Sequence, residues 1–358
     1  MRPQRPKGAW VSGAGQRRRR SASSTRRVTM QDVGRTAGVS AQTVSRVLSS
    51  PERVSERTRR RVQQAIIDTG YVPNLAASHL ASNRSRTVSA IVPVMSASIF
   101  ADTLTASASL LTQAGYQTTV ESSDYDTARE EELVRGAVSR RPDGFLIVGT
   151  LHTTETIRLL RDYGAPVVET WDCTSKPLDT LVGFSNRDAM LDMVRYLVSR
   201  GHRRLTFAGV LRSGDDRTTR RFEGFRAGVE ALLPDEPVRV VDLVGRRMSM
   251  DTGSELLSAV LDRHPETTAA VFTSDIYAAA AVLAARRRGI SVPNQLAITG
   301  FGDFEVARHL VPSLTTVHVD AAEIGTRAAQ LLLARMQDSP VETPAVDVGY
   351  RIVPRESA

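Results

Sequence analysis

Between Val28 and Leu48 the apolar positions fall twice into a helical rhythm, with a glycine between the two runs. Met30, Val33 and Ala37 recur at i, i+3 and i+7, so they share one face of a helix. Thr29, with Asp32 three residues later, is the reciprocal pattern that satisfies free backbone N–H groups at a helix start, and Gly38 suits its end. Ser40 then caps a second helix in which Val44, Val47 and Leu48 point to the same small core. Ala41, Gln42, Ser45 and Arg46 are left on the outer face. A third helix opens at Ser55 in SERTRRRVQQAIIDTGY, with Val62, Ala65 and Ile66 turned to that core and Arg57, Arg59, Arg60 and Arg61 on a basic side. The pattern is a helix–turn–helix completed by a third helix, although the same spacing also occurs in ordinary helical domains.

After Tyr71-Val-Pro-Asn74 the stretch LAASHLAS reads as a short helix capped by Asn74, and Asn83 to Thr87 as a polar tether. From Val88 the rhythm changes. Apolar runs VSAIVPV, QTTVE, GFLIVGT and APVVET alternate with amphipathic helices over Asp102–Ala114, Thr127–Arg140 and Thr154–Tyr163. A second series, LTFAGV, VRVVDLV, AAVFTS and LAITGF, alternates with helices over Arg220–Leu233, Asp251–Arg263 and Asp275–Arg288. Strand runs separated by helices mean parallel sheets covered on both faces. Two similar halves are expected, with the helix Asp320–Met336 returning to the first.

Charge divides the chain in the same place. Residues 1–27 carry nine basic residues and no acid, residues 28–86 carry nine against four, and residues 87–358 are left at −6 of the overall +8. The basic end is the one suited to nucleic acid. Residues 1–27 cannot bury apolar surface; they read either as a disordered arm for DNA phosphates or as a leader without function. A single cysteine, Cys173, permits no intrachain disulfide and suits a reducing cytoplasm, and no secretion signal or 18-residue apolar run is present.

Through TMQDVGRTAGVSAQTVSRVLS, VSERTRRRVQQAIIDTGYVPN and AASHLAS the chain resembles the LacI family of bacterial transcription repressors, and more loosely it does so to about Arg355. APVVETWD, LVGFSN and ITGFGDFEVA look most like its gluconate-utilisation branch. The resemblance implies an all-α helix–turn–helix domain over 28–73, a hinge helix and linker over 74–87, and a periplasmic-binding-protein-like α/β core over 88–354. That core would comprise an N-subdomain (about 88–184 and 318–338) and a C-subdomain (about 185–317 and 341–354), with chain crossings near Phe184–Ser185, Thr316–His318 and Pro340–Thr343. It further implies a cytoplasmic, nucleoid-associated homodimer on pseudo-palindromic operator DNA, without membrane attachment. Operator affinity would be set by a small effector, a sugar acid such as gluconate or a related carbohydrate, and no cofactor or metal is called for. No heptad run follows Arg355, so a dimer is expected in preference to a zipped tetramer.

Candidate contacts follow. In a major groove Gln pairs two-pronged with adenine and Arg with guanine, which makes Ala41, Gln42 and Arg46 the base-contacting set. Ser40, Thr43, Ser45 and Ser55 suit phosphates. In the hinge, Leu80 would wedge between base pairs with Ala77 packed nearby, since an apolar wedge can kink a duplex by roughly 20–90°; a plain linker is the other reading. Ligands of open α/β sheets sit at the carboxyl ends of strands. That rule selects Ser98, Phe100, Trp171, Asp172, Arg221 at the start of its helix, and Asp275. By resemblance Arg221 grips a carboxylate or a hydroxyl pair and Asp275 accepts from sugar hydroxyls. Alternatively Asp275 caps a helix, Arg221 is a surface charge, and Trp171 belongs to the core.

The chain is not expected to be an enzyme. It has no GxxxxGK[ST], HExxH or GxSxG, its six histidines lack ligand spacing, no base marks Cys173 as a nucleophile, and MSASIF follows the first strand where a dinucleotide fold needs GxGxxG. A sugar-transport protein would need an export signal and no helix–turn–helix, and a recombinase a catalytic cluster. Finally, the Ala-rich run Ala278–Ala285 reads either as a close dimer face or as packing against its own sheet.

Overall fold

The computed structural model describes residues 28–72, 84–95, 98–341 and 343–358. The basic extension and the hinge stretch with Ala77 and Leu80 lie outside the described residues, as does the side chain of Ser98. The chain divides into two compact units at Ala81/Ser82.

The first unit holds α1 (Met30–Ala37), α2 (Ala41–Ser49) and α3 (Glu56–Thr69). Its helix starts are built as their sequences require. Thr29 and Asp32 form a reciprocal capping box, Ser40 accepts from the Thr43 amide at 3.1 Å, and Ser55 accepts from that of Thr58 at 3.4 Å. Gly38 closes α1 in the left-handed region at φ 61°. Val33, Ala37, Val44, Val47, Val62, Ala65 and Tyr71 make the core. Leu48 is not part of it: one residue beyond Val47 it turns about 100° off the buried stripe and is 41% exposed.

In the second unit two six-stranded sheets are built one after the other. The first contains β1 (Thr87–Val92), β2 (Gln117–Ser122), β3 (Gly144–Val148), β4 (Val167–Thr170) and β5 (Thr180–Gly183), with β11 (Ala345–Asp347), in the order β11-β5-β4-β3-β1-β2 and parallel throughout. The second contains β6 (Leu205–Gly209), β7 (Arg239–Asp242), β8 (Ala269–Phe272), β9 (Ala297–Gly302), β10 (Thr315–His318) and β12 (Arg351–Val353), in the order β12-β10-β9-β8-β6-β7. Only β12 runs antiparallel. Buried runs such as Gly144–Val148 and Ala269–Phe272 are covered on both faces, as parallel strands require.

Helices α4 (Ser98–Gln113), α5 (Thr127–Arg140) and α6 (Thr154–Tyr163) cover the first sheet together with α12 (Ala321–Met336), which returns to pack on α4. The second sheet is covered by α7 (Asn186–Ser199), α8 (Asp216–Leu232), α9 (Met250–Arg263) and α10 (Asp275–Arg287), with the short α11 (Glu305–His309). Ala278, Ala279, Ala280, Ala281, Ala284 and Ala285 of α10 are at most 3% exposed in the core formed with β8, β9 and α9, so they are not a free dimer face.

The chain passes between sheets three times. It does so after Gly183, between His318 and Ala321, and between Asp347 and Arg351. The third passage comes later than the expected Pro340–Thr343, because β11 is still hydrogen-bonded to β5 through Ala345, Val346 and Asp347. All three lie side by side: Val348 donates to the Gly183 carbonyl at 2.9 Å, and His318 pairs with Arg351.

Candidate functional site

A cavity lies between the two halves at the carboxyl ends of their parallel strands, where Phe100, Tyr125 and Trp171 face Arg212, Asp215, Arg217, Arg221, Tyr277 and Phe301. The halves close on it until about 30 Å³ remains, room for water and not for a sugar.

Three loop geometries shape this cavity. Trp171 follows β4 with a left-handed backbone, φ 71°, and Tyr125 is left-handed too at 61°. Non-glycine residues adopt that region only when their surroundings hold them there. For Trp171 the surroundings are plain: its indole Nε1 donates to Thr103 Oγ1 at 3.1 Å, and its ring meets Phe100 and Phe184 edge-on at 5.5 and 6.1 Å. It is a rigid wall of the cavity and 1% exposed. From the second half, Gly214 abuts the Tyr125 carbonyl so closely that a Cβ would sit 2.0 Å from the oxygen.

Arg221 stands over the Phe301 ring, 3.8 Å from its centroid, while Nε donates to Asn186 Oδ1 and Nη1 to the Thr273 carbonyl, both at 2.9 Å. Burial draws its guanidinium down to about 10, against the opposing pull of Asp215. Arg217 pairs with Asp215 at 3.2 Å and faces the rings of Phe100 and Tyr125, at 5.5 and 5.7 Å. Burial disfavours the Asp215 carboxylate, yet Arg217, Thr218 and Arg221 together hold it below its usual range. Arg212 covers Tyr125 at 4.8 Å and donates to the Arg246 carbonyl at 2.7 Å.

A second cluster closes the seam beside this cavity. Asp172, fully buried, meets Arg220 Nε at 3.2 Å from across the cleft, and Arg220 also reaches Asp216 at 3.5 Å and donates to the Cys173 carbonyl at 2.6 Å. Thr150 Oγ1 lies 3.2 Å from Asp172 and 3.1 Å from Asp216, so its one proton serves either acid. Burial, and after it the Asp216 carboxylate, push Asp172 up to about 6 against the pull of Arg220. Asn186 joins the clusters, accepting from Arg221 and donating to Asp172 Oδ1 at 3.3 Å.

The expected contact residues therefore divide. Phe100, Trp171 and Arg221 line the cavity. Asp172 does not; it is turned to the seam. Asp275 is also displaced from the expected role: its carboxylate is fully buried, with the Thr316 hydroxyl at 2.6 Å and the Phe304 amide at 2.7 Å, while Ser274 is the helix cap. Burial lifts it to about 7. Helix α8 begins at Asp216, four residues before the expected start, so Arg221 stands in its second turn. The sequence reading missed Arg212, Arg217, Tyr125 and Tyr277.

In the first unit the outer face of α2 presents Gln42, Ser45 and Arg46 exposed, with Ala41 and Thr43 half-buried beside them. Ser40 and Ser55 are exposed caps. Arg61 is not on that basic side; its Nη2 donates to the Ala37 and Gly38 carbonyls and finishes α1.

Comparison with known proteins agrees with both units. Residues 29–74 match the model of the bacterial regulatory proteins of the lacI family, and residues 194–358 a periplasmic binding protein-like domain. The HTH-type transcriptional regulator GntR of Pseudomonas aeruginosa is 34% identical over 93% of this chain and 96% of its own length. The chain belongs to the LacI family. Another of its LacI-family relatives is the regulator IdnR of Escherichia coli, 33% identical over 91% of this chain and 97% of that protein. A LacI-family regulator from Silicibacter pomeroyi superposes with a TM-score of 0.85 at 32% identity, covering 92% of this chain and 99% of that one. As a LacI-family member the protein is a DNA-binding transcriptional regulator with a ligand-binding core, and its curated relatives are regulators, not enzymes. Among the described residues no helix is long and apolar enough to cross a membrane.

Proposed function

We propose that this regulator is a cytoplasmic, homodimeric repressor whose hold on a pseudo-palindromic operator is set by a sugar acid of the gluconate class bound between the halves of its core. The observation that carries the reading is the cavity itself: a strand-end site whose wall bears Arg212, Arg217 and Arg221 against the single carboxylate Asp215. Guanidinium groups are matched to carboxylates, and aromatic walls such as Phe100 and Trp171 are matched to the apolar face of a carbon chain. Entry requires the halves to part, because the closed cavity admits only water.

On the DNA side, Ala41, Gln42 and Arg46 read base edges, Ser40, Thr43, Ser45 and Ser55 hold phosphates, and Ala77 and Leu80 enter the minor groove. Two copies are needed since one short helix reads too few base pairs. The hydrogen-bond chain Arg221, Asn186, Asp172, Arg220 gives a physical route from ligand to cleft angle. An anion on Arg221 competes with Asn186, and the seam pair beyond it is biased between closed and open.

The test is calorimetric titration of gluconate into the full chain, with anisotropy of a labelled duplex selected in vitro as its operator. Saturating gluconate is expected to change operator affinity by about five- to 150-fold, the usual range of allosteric coupling. Gluconate that neither binds nor moves operator affinity overturns the reading.

A further inference from the structure

Helix α2 is aimed by the turn that joins it to α1. It contributes Val44 and Val47 to the core, and α3 packs chiefly on α1 and little on α2. The turn is three residues long, Gly38, Val39 and Ser40. Gly38 leaves α1 in the left-handed region at φ 61°, and the Val39 amide returns to the Gly34 carbonyl at 2.9 Å. Gly34 lies so close beneath the turn that a Cβ on it would be 2.7 Å from the Val39 carbonyl oxygen. The carbonyls of Ala37 and Gly38 still need donors, because the last turn of a helix has no N–H of its own to offer them. Arg61 supplies them from α3, 24 positions further along the chain: its Nη2 donates to the Ala37 carbonyl and, at 3.3 Å, to that of Gly38. The same atom lies over the turn, 2.7 Å from where a Cβ on Gly38 would stand.

The arginines of α3 therefore differ in what they are free to do. Arg60 pairs with Glu56, and the side chains of Arg57 and Arg59 have no partner among the described residues, but Arg61 is bound to the loop whose conformation aims α2. Its guanidinium also sits at the negative end of the α1 dipole, where a cation is favoured. Contacts to base edges need side chains placed to within about 0.5 Å and 10–20°. Phosphate contacts carry no sequence information and occur alike on any duplex. We infer that Arg61 is a positioning residue for sequence reading: it locks the turn from α3 and so fixes the angle at which Gln42 and Arg46 are presented, without touching DNA itself. This rests on α2 being the helix that reads bases.

The experiment is fluorescence anisotropy of the full chain on a duplex selected in vitro as its operator and on an unrelated duplex, each across a salt series. The proteins are wild type, Arg61→Gln, Arg61→Lys and, as a reference for base reading, Arg46→Ala, with hydrogen exchange over residues 28–72 reporting the fold of each. Arg61→Gln should lose about tenfold on the operator, the size of one charge-assisted hydrogen bond, and less than about twofold on the unrelated duplex. Its salt slope should match wild type on both, and exchange should quicken over 38–41 while α1 and α3 stay protected. Arg61→Lys keeps the charge and a donor and should recover part of the loss. A salt slope lower by about one on both duplexes makes Arg61 a phosphate contact and overturns the inference. So does operator affinity equal to wild type in Arg61→Gln, or protection lost across α1 and α3, which makes Arg61 a residue of the fold alone. Arg46→Ala that binds the operator like wild type overturns the reading of α2 itself, whatever Arg61 does.

Discussion

Arg220 of the second half and Asp172 of the first meet at 3.2 Å, and this pair joins the halves directly at the seam beside the cavity. Asp172 is wholly buried, its side chain overlain by the seam, while Arg220 is 32% exposed. Gly183 makes the approach possible: any Cβ there would lie 1.9 Å from the Asp172 carbonyl oxygen.

Arg220→Gln should open the cleft. The change leaves Asp172 and Asp216 facing each other without their shared cation, at a cost of about 2 kcal/mol once the partial exposure of the arginine is allowed for. Small-angle scattering of the ligand-free protein should register a larger radius of gyration. Adding Asp216→Asn should reverse it, and a scattering curve identical to wild type would show that the pair does not hold the seam.

Arg221→Ala should abolish the operator response to effector, because the variant loses both the cavity cation and the link to Asn186. Calorimetry that still finds full ligand affinity in this variant would move the site elsewhere.

Asp275 should make the fold less stable as pH rises from about 4 to about 7. Burial lifts its folded value to about 7 from the ordinary carboxyl range. The contribution is therefore fully present below the unfolded value and is lost between the two. Asp275→Asn keeps an acceptor for the Phe304 amide, so melting temperature should become flatter across that window in this variant. An unchanged slope would assign the effect to another group.

His152 extends the same trend to alkaline pH. Burial opposes its charge, but Glu130 at 2.6 Å and Glu169 at 3.3 Å outweigh that and hold the ring up to about 9. Stability is present below the unfolded value near 6.5 and is lost as pH climbs through 9. His152→Gln should melt well below wild type at pH 6 and close to it at pH 9.5; equal deficits at both pH values would mean the ring acts by packing alone.

On DNA, Arg46→Ala should cost about 1–3 kcal/mol at a single operator position. Equal loss across unrelated duplexes in a competition assay would reduce Arg46 to a phosphate contact.

Local signals carried much of this in the sequence. The Thr29/Asp32 box, the caps at Ser40 and Ser55, and helices 127–140 and 154–163 depend on neighbours in the chain, and they stand where period and capping chemistry put them. What depends on distant partners was not legible. Arg220 and Asp172 are 48 positions apart, and nothing local marks either as half of a pair. The DDRTT run looks like loop, since its polar side chains hide a first helical turn whose charges are spent on the cleft. Strand β11 has three residues, too few to display a period, and so the third crossing appeared early. Asp275 follows a strand as a ligand residue would, but only the tertiary fold turns Thr316 and the Phe304 amide toward it.

The three neighbouring crossings have a mechanical consequence. One connecting strand would leave the halves free to tilt, twist and slide; three laid side by side, pinned at Gly183 with Val348 and at His318 with Arg351, resist those motions together. A ligand bridging the cleft therefore acts on two bodies already coupled through three connections, and a change at one side of the cleft is felt at all of them.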